Sequence, residues 1–305
     1  MIFRPITLWA FAFLAYAGAS LLWSPGNNLL AGAMLVSLAG CYLVGQVITD
    51  LRKVWITYCL FLLVNLALIP FSPFDLNLTW GLYGNKNLFG CALALGLAGA
   101  VAYRLWPFAL AIGAGVFYTH SRSALLGLTA VCFVLLWRWS RPVAVTAIVL
   151  AAIATFETAP GIDSSIWHRM GIWNDVVNNA TVFGSGFGSF YEAYFAFPFH
   201  RNPTEYMTGL RAAHAYNDFL ELSFELGLGA IPLWVVVFLA MEEPAHERII
   251  VFAYLAMALT FYPLWVPLVG QLVALTLGHL ARHSVGTSTK GACYEISSRH
   301  SALPR

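Results

Sequence analysis

The feature that most constrains this chain is a succession of apolar stretches, each long enough to cross a bilayer or nearly so, separated by short polar turns. They run at about 5–23, 29–48, 54–71, 87–103, 105–119, 122–139, 142–156, 215–240, 249–265 and 267–281. Backbone in lipid must satisfy its own hydrogen bonds, so such stretches predict helices. The separators include Ser24-Pro25-Gly26, Ser140-Arg141-Pro142 and Glu242-Glu243-Pro244, which are turn and helix-end chemistry. Charged residues make up only 10% of the 305, and mean hydropathy is +0.73; a soluble domain carries about 25% charge. The expected fold is all-α: a polytopic membrane protein with about ten transmembrane helices. Residues 1–281 form a single membrane domain with one long loop at about 157–214, and 282–305 form a polar, disordered tail.

The amino terminus imitates a signal peptide, with Arg4 before an apolar run and small residues at Ala15, Ala17 and Ala19. The run continues to Trp23 and further spans follow, so it reads as a retained first helix. With that terminus inside, Arg4, Arg52, Lys53, Arg104, Arg138, Arg141, Arg248, Arg282, Lys290, Arg299 and Arg305 fall on the cytoplasmic side. Only Lys86, Arg122, Arg169, Arg201 and Arg211 fall outside. This bias places both termini inside and the long loop outside. The five outer cations run against it and need a reason. Cys41, Cys59, Cys91 and Cys132 sit in apolar runs and Cys293 in the tail, so no disulfide framework is implied for the loop.

Chemistry concentrates between about Glu157 and Glu225. On the expected helix at the loop exit, His214, Asp218, Glu221 and Glu225 recur at i, i+4, i+7 and i+11, a single stripe. Asp218, one turn below His214, is expected to hold the imidazole in one tautomer, with Asn217 flanking the same face. Thr119-His120-Ser121-Arg122-Ser123 opens a helix at the outer surface, and a guanidinium at a helix amino terminus suits phosphate. Arg169, Arg201 and Arg211 lie among Trp167, Trp173, Tyr191, Tyr194 and Tyr206, and cations with aromatic faces suit a diphosphate and a sugar. Gly184-Ser-Gly186-Phe-Gly188 is either a tight turn or an anion cradle. In Gly84-Asn85-Lys86-Asn87, Asn87 is the expected cap and Lys86 a further positive charge. No HxxxH or HExxH spacing occurs, so no metal site or cofactor is implied.

Several of these segments resemble the bacterial O-antigen ligase and polymerase superfamily. Ser121-Arg122 through Gly127 is similar to its S-R-x-x-x-x-G helix start. Arg169-Met-Gly-Ile-Trp173 followed by the Gly184–Gly188 turn resembles its loop pattern. His214-Ala-Tyr-Asn217-Asp218-Phe-Leu220 with Glu225-Leu-Gly227-Leu-Gly229 is similar to its loop exit. The resemblance spans roughly Gly81 to Trp234. It implies an inverting, metal-independent glycosyltransferase of the bacterial inner membrane, acting at the periplasmic face. The donor would be an undecaprenyl diphosphate-linked glycan and the acceptor lipid A–core, or another repeat unit or a protein hydroxyl in sister branches, with membrane lipids but no nucleic acid as further partners. By that likeness His214 would be the general base and Asp218 its orienting acid. Arg122, Arg211 and Arg169 would bind the diphosphate, and Asn217, Glu221, Lys86 and Tyr216 would contact donor or acceptor. Members of that family often carry a second histidine where this chain has Tyr216. The residues also admit a transporter with an Asp218–Glu221–Glu225 relay, or a non-catalytic glycan-lipid binding protein.

Overall fold

The computed structural model describes residues 5–69, 83–146, 162–196, 212–242 and 246–282. Regular structure among these residues is helical throughout. The order is α1 (Pro5–Ser20), α2 (Asn28–Val47), α3 (Leu51–Leu68), α4 (Lys86–Ala102), α5 (Trp106–Tyr118) and α6 (Arg122–Trp139), then a helical stretch α7 at 141–146. After these come α8 (Ile162–Asn179), α9 (Phe190–Ala196), α10 (Asp218–Leu226), α11 (Ile231–Glu242), α12 (Arg248–Ala258) and α13 at 269–282. Among the described residues four helices are long and apolar enough to cross a membrane: α2, α3, α6 and the continuous Asp218–Glu242 segment. The helices α1, α4, α5 and α12 are apolar but shorter.

Small residues decide what sits at the centre. In α4 every residue from Phe89 to Ala102 is buried, and glycine and alanine dominate the run. Without side-chain bulk, neighbours close directly onto its backbone, the usual device where lipid removes the hydrophobic incentive to pack. Trp55 of α3 lies over Gly99, Leu62 over Gly96, and Ser121 against Gly90. Helices α3, α5, α6 and α12 surround α4, while α1 packs on α11 and α2.

Successive helices alternate between two ends of the bundle. At one end, Arg282 Nη1 donates to the carbonyls of Val47 and Ile48, and Tyr103 OH donates to Glu247 Oε1 at 2.9 Å. At the other, the Phe187 amide donates to Ser20 Oγ, and Tyr83 OH donates to the Pro267 carbonyl. Arg52, Lys53, Arg104, Arg138, Arg141, Arg248 and Arg282 belong to the first end. Lys86, Arg122 and Arg169 belong to the second.

Two apolar stretches fold differently from a plain span. The 215–240 stretch becomes helical only at Asp218, because Asn217 caps it: Oδ1 accepts from the Leu220 amide at 3.1 Å. The 249–265 stretch leaves α12 after Ala258, since Pro263 and Pro267 cannot continue a helix. Its remaining residues form a turn, with a 3₁₀ piece at Pro263–Trp265, that folds over the amino terminus of α10. Asn85, not Asn87, caps α4: its Oδ1 accepts from the Asn87 amide at 2.8 Å.

Helix α10 stops at Gly227, which has φ +56° and whose missing Cβ would meet the Val182 carbonyl. The Leu228 amide donates to that same carbonyl at 2.9 Å. Gly227→Ala therefore adds a left-handed penalty of about 1–2 kcal/mol to a steric conflict. Gly171 in α8 has open space around its missing Cβ, so Gly171→Ala gains about 0.5–1 kcal/mol. Thermal unfolding in detergent should rank Gly171→Ala at or above wild type and Gly227→Ala several degrees below it. Equal midpoints for all three would show that the turn relaxes freely.

Candidate functional site

The site is assembled around α10, whose three acids are all buried: Asp218, Glu221 and Glu225 are at most 1% exposed. A buried carboxylate is tolerable only when donors replace the water it lost. Each of the three takes backbone donors from a different part of the chain, and Asp218 a further one from Tyr254 of α12. Glu225 accepts from the amides of Gly188 (Oε2, 3.0 Å) and Phe190 (Oε1, 2.9 Å). Glu221 accepts from the Ala215 amide at 2.8 Å and pairs with His214 Nδ1 at 2.7 Å. Asp218 accepts from the Leu264 amide at 3.0 Å and from Tyr254 OH at 3.2 Å.

This corrects the expected partner of the imidazole. His214 lies in the loop before the helix, so the i, i+4 geometry with Asp218 never forms. The chain turns back at Ala215–Asn217 and brings the ring to Glu221 instead. Glu221 at Nδ1 fixes the tautomer that leaves Nε2 as the acceptor nitrogen. One face of the ring is stacked on Tyr262, centroids 3.8 Å apart and planes 18° apart. Three acids tied into three loops are also poorly disposed as an open proton relay.

Arg169 reaches the site from α8. Ile172 and Val176 are buried on the face that packs against α10, and Arg169 and Trp173 flank that stripe at helical spacing. Trp173 Nε1 donates to the Ala215 carbonyl at 2.7 Å, which holds the histidine loop from its other side. The Arg169 guanidinium lies 4.9 Å from the centroid of the Tyr216 ring and donates to the Thr260 carbonyl at 2.8 Å. Burial lowers its pKa; the Tyr216 oxygen opposes that, and the charge of Arg122 lowers it further. It remains a cation at neutral pH. Arg122 itself is exposed at the first turn of α6. Two guanidiniums therefore feel one another at the end of the bundle that holds His214. Tyr262, stacked on His214 and 5.7 Å from the Tyr216 ring, stands between the acid–imidazole pair and Arg169.

Backbone strain gathers here. Non-glycine residues in the left-handed region include Tyr216 (φ +54°), which carries Arg169, and His120 (φ +48°), two residues before Arg122. Arg104 and Leu268, at turns, are the others among the described residues.

Other expected residues are placed as follows. Asn217 serves as helix cap and donates Nδ2 to the Leu259 carbonyl at 3.0 Å, so it positions the loop. Lys86 is exposed at the start of α4, on the same end. Arg211 lies outside the described residues, as do Arg201 and Tyr206. The glycine-rich turn cradles an anion after all, but the protein's own, Glu225. Its other amides go to the Thr181, Phe224 and Glu225 carbonyls and to Ser20 Oγ. Glycines at 184, 186 and 188 are required because all three have positive φ and their missing Cβ atoms abut neighbouring chain.

His214 forms part of the wall of an open cavity of about 250 Å³ lined also by Asn27, Leu30, Glu192, Tyr191, Glu221 and Trp265. An imidazole with an anchored Nδ1, an accessible cavity and nearby guanidiniums can accept a proton from a bound hydroxyl and stabilise a departing anion. Sequence reasoning did not identify the contributions of Tyr262, Trp265 and the 27–31 segment; they come from chain far from the loop. No protein-family model and no curated protein matches this chain.

If Glu221 sets the tautomer, nitrogen NMR of histidine-labelled protein should find His214 protonated at Nδ1 in wild type. Asp218→Asn should leave that signal in place and Glu221→Leu should shift it towards the mixed-tautomer position. An unchanged spectrum in Glu221→Leu would overturn the assignment.

Proposed function

We propose that the chain is an inner-membrane glycosyltransferase that moves a glycan from undecaprenyl diphosphate to an acceptor hydroxyl, that of lipid A–core, at the periplasmic face. The observation that carries the reading is His214, anchored by Glu221 in the wall of a cavity, with the Arg169 guanidinium reached from it through the Tyr262 and Tyr216 rings. Ten crossing segments with both termini cytoplasmic accompany it. The segregation of Arg and Lys to the bundle end opposite His214 supports that orientation, as does the motif resemblance.

In the proposed reaction Nε2 of His214 takes the acceptor's hydroxyl proton as its oxygen attacks the anomeric carbon. The bond from that carbon to the diphosphate oxygen breaks on the opposite face, inverting the centre. Both electrons leave with undecaprenyl diphosphate, whose charge Arg169 and Arg122 neutralise, so no general acid is needed. Glu221 replaces Asp218 as the group that orients the imidazole. Asp218 instead holds the 259–268 turn, and through it Tyr262 and Trp265, in place.

Activity is read by deleting the chromosomal copy, complementing with variants, and resolving the host's lipopolysaccharide on a gel. Wild type should restore polymer. His214→Ala and Arg169→Ala should each lower transfer at least about a hundredfold at normal membrane abundance. Loss of all polymer with bare core accumulating fits the ligase reaction; a single repeat on the core would move the reading to a polymerase. Full activity in His214→Ala would overturn the assigned chemistry.

A further inference from the structure

The two sides of His214 differ in charge. Arg169 lies beyond Tyr262, reached through the Tyr216 ring, and Arg122 is near enough to act on its charge; neither lines the cavity. The cavity's ionisable walls are instead His214 and three acids: Glu192 on α9, with Glu221 and Glu225 from α10. Its other polar wall is Asn27, whose Oδ1 is used on the Leu30 amide, leaving the side-chain N–H₂ to donate. Trp265 and Tyr191 add aromatic surface, and the Trp265 indole N–H has no acceptor among the described residues.

Glu221 and Glu225 are buried with their oxygens already engaged, so the exposed Glu192 carboxylate is the acceptor. With the Asn27 amide donor and aromatic walls it suits a polyhydroxylated ring: hydroxyls bond Glu192 and Asn27 while C–H faces lie on the rings. A phosphate in the same place would face the Glu192 carboxylate, and no Lys or Arg among the described residues lines the cavity. The back wall is sealed: at Gly26 even a Cβ would crowd the Gly188 carbonyl, and at Gly188 it would crowd Ala31. Leu30, a wall of the cavity, is 70% exposed and continues into the exposed Leu29. The opening thus meets the lipid-facing surface of α2.

We propose that this cavity is the acceptor subsite and that it takes an uncharged or amine-bearing sugar in preference to a phosphorylated one, with Glu192 setting the preference. The proposal rests on the glycosyl-transfer reading and adds to it which side of the imidazole the acceptor occupies and what chemistry that acceptor has. The diphosphate then stays on the cation side, and the two substrates are sorted by charge before either reaches the ring.

The test uses full-length protein in nanodiscs and three synthetic glycolipids with one common tail, bearing a neutral hexose, an amino-hexose or a hexose phosphate. Binding is followed by tryptophan fluorescence without donor, and Trp265→Phe identifies the responding ring. The neutral and amino probes should bind at least about tenfold more tightly than the phosphorylated one. Glu192→Gln should narrow the gap and Glu192→Lys should invert it, with unfolding midpoints measured alongside because Glu192 is an exposed side chain. Equal or tighter binding of the phosphorylated probe to wild type, no binding of any probe, or an unchanged ranking in Glu192→Lys would each overturn the proposal. Transfer is assayed separately with an undecaprenyl diphosphate-linked donor. A preserved ranking without turnover counts against the transfer reading, and turnover with no ranking counts against the subsite alone.

Discussion

Three buried carboxyl groups, arranged along about two turns of one helix, are the interaction on which the rest of this site depends. Each is stabilised only by donors brought from elsewhere in the chain: the glycine-rich turn for Glu225, the histidine loop for Glu221 and the proline-rich turn for Asp218. None of these loops has a long regular element to hold it. Buried charge supplies what periodic hydrogen bonding does not, because leaving any one acid without its amides costs several kcal/mol. The loops therefore converge on α10 as a consequence of where its acids are.

The convergence also explains how a soluble-looking segment becomes part of a membrane bundle. Ile172, Val176, Phe190, Ala193, Ala212, Ala215 and Phe224 form their own small apolar cluster over α10. It is linked to the main core by Tyr216 and by the stacked Phe261–Tyr262 pair. Arg169 and His214 stand on the two sides of that link, so a change in α8 reaches the imidazole through aromatic contacts as well as through the Trp173 hydrogen bond to the Ala215 carbonyl.

Much of this was readable from residue order. Apolar run lengths located the apolar helices, though not α8 and α9, which lie inside the interval read as a loop. The charge bias sorted loop ends into two groups, and the wide polar interval singled out His214 and its acids. At the loop exit helical spacing was extended one turn too far. The Asn217-Asp218 pair ahead of an apolar run is a cap signal, and given that weight it would have removed His214 from the helix and Asp218 from its side. At α4 the error runs the other way: with Asn85 rather than Asn87 as cap, the helix begins two residues earlier than expected. Contacts such as His214 on Tyr262, or Glu225 on Gly188, depend on chain crossing at long sequence separation, about which a local pattern says nothing.

The acid ladder also sets an order on biosynthesis. When the 218–242 segment leaves the ribosome, its Glu225 and Glu221 can already find Gly188, Phe190 and Ala215, all made before it. Asp218 cannot: its amide donor, Leu264, lies 46 residues further on. Until the closing hairpin of α12 and α13 is made, the Asp218 carboxyl lacks both of its donors, Tyr254 and Leu264, so the last of the three acids is satisfied only by the last part of the fold to be synthesised.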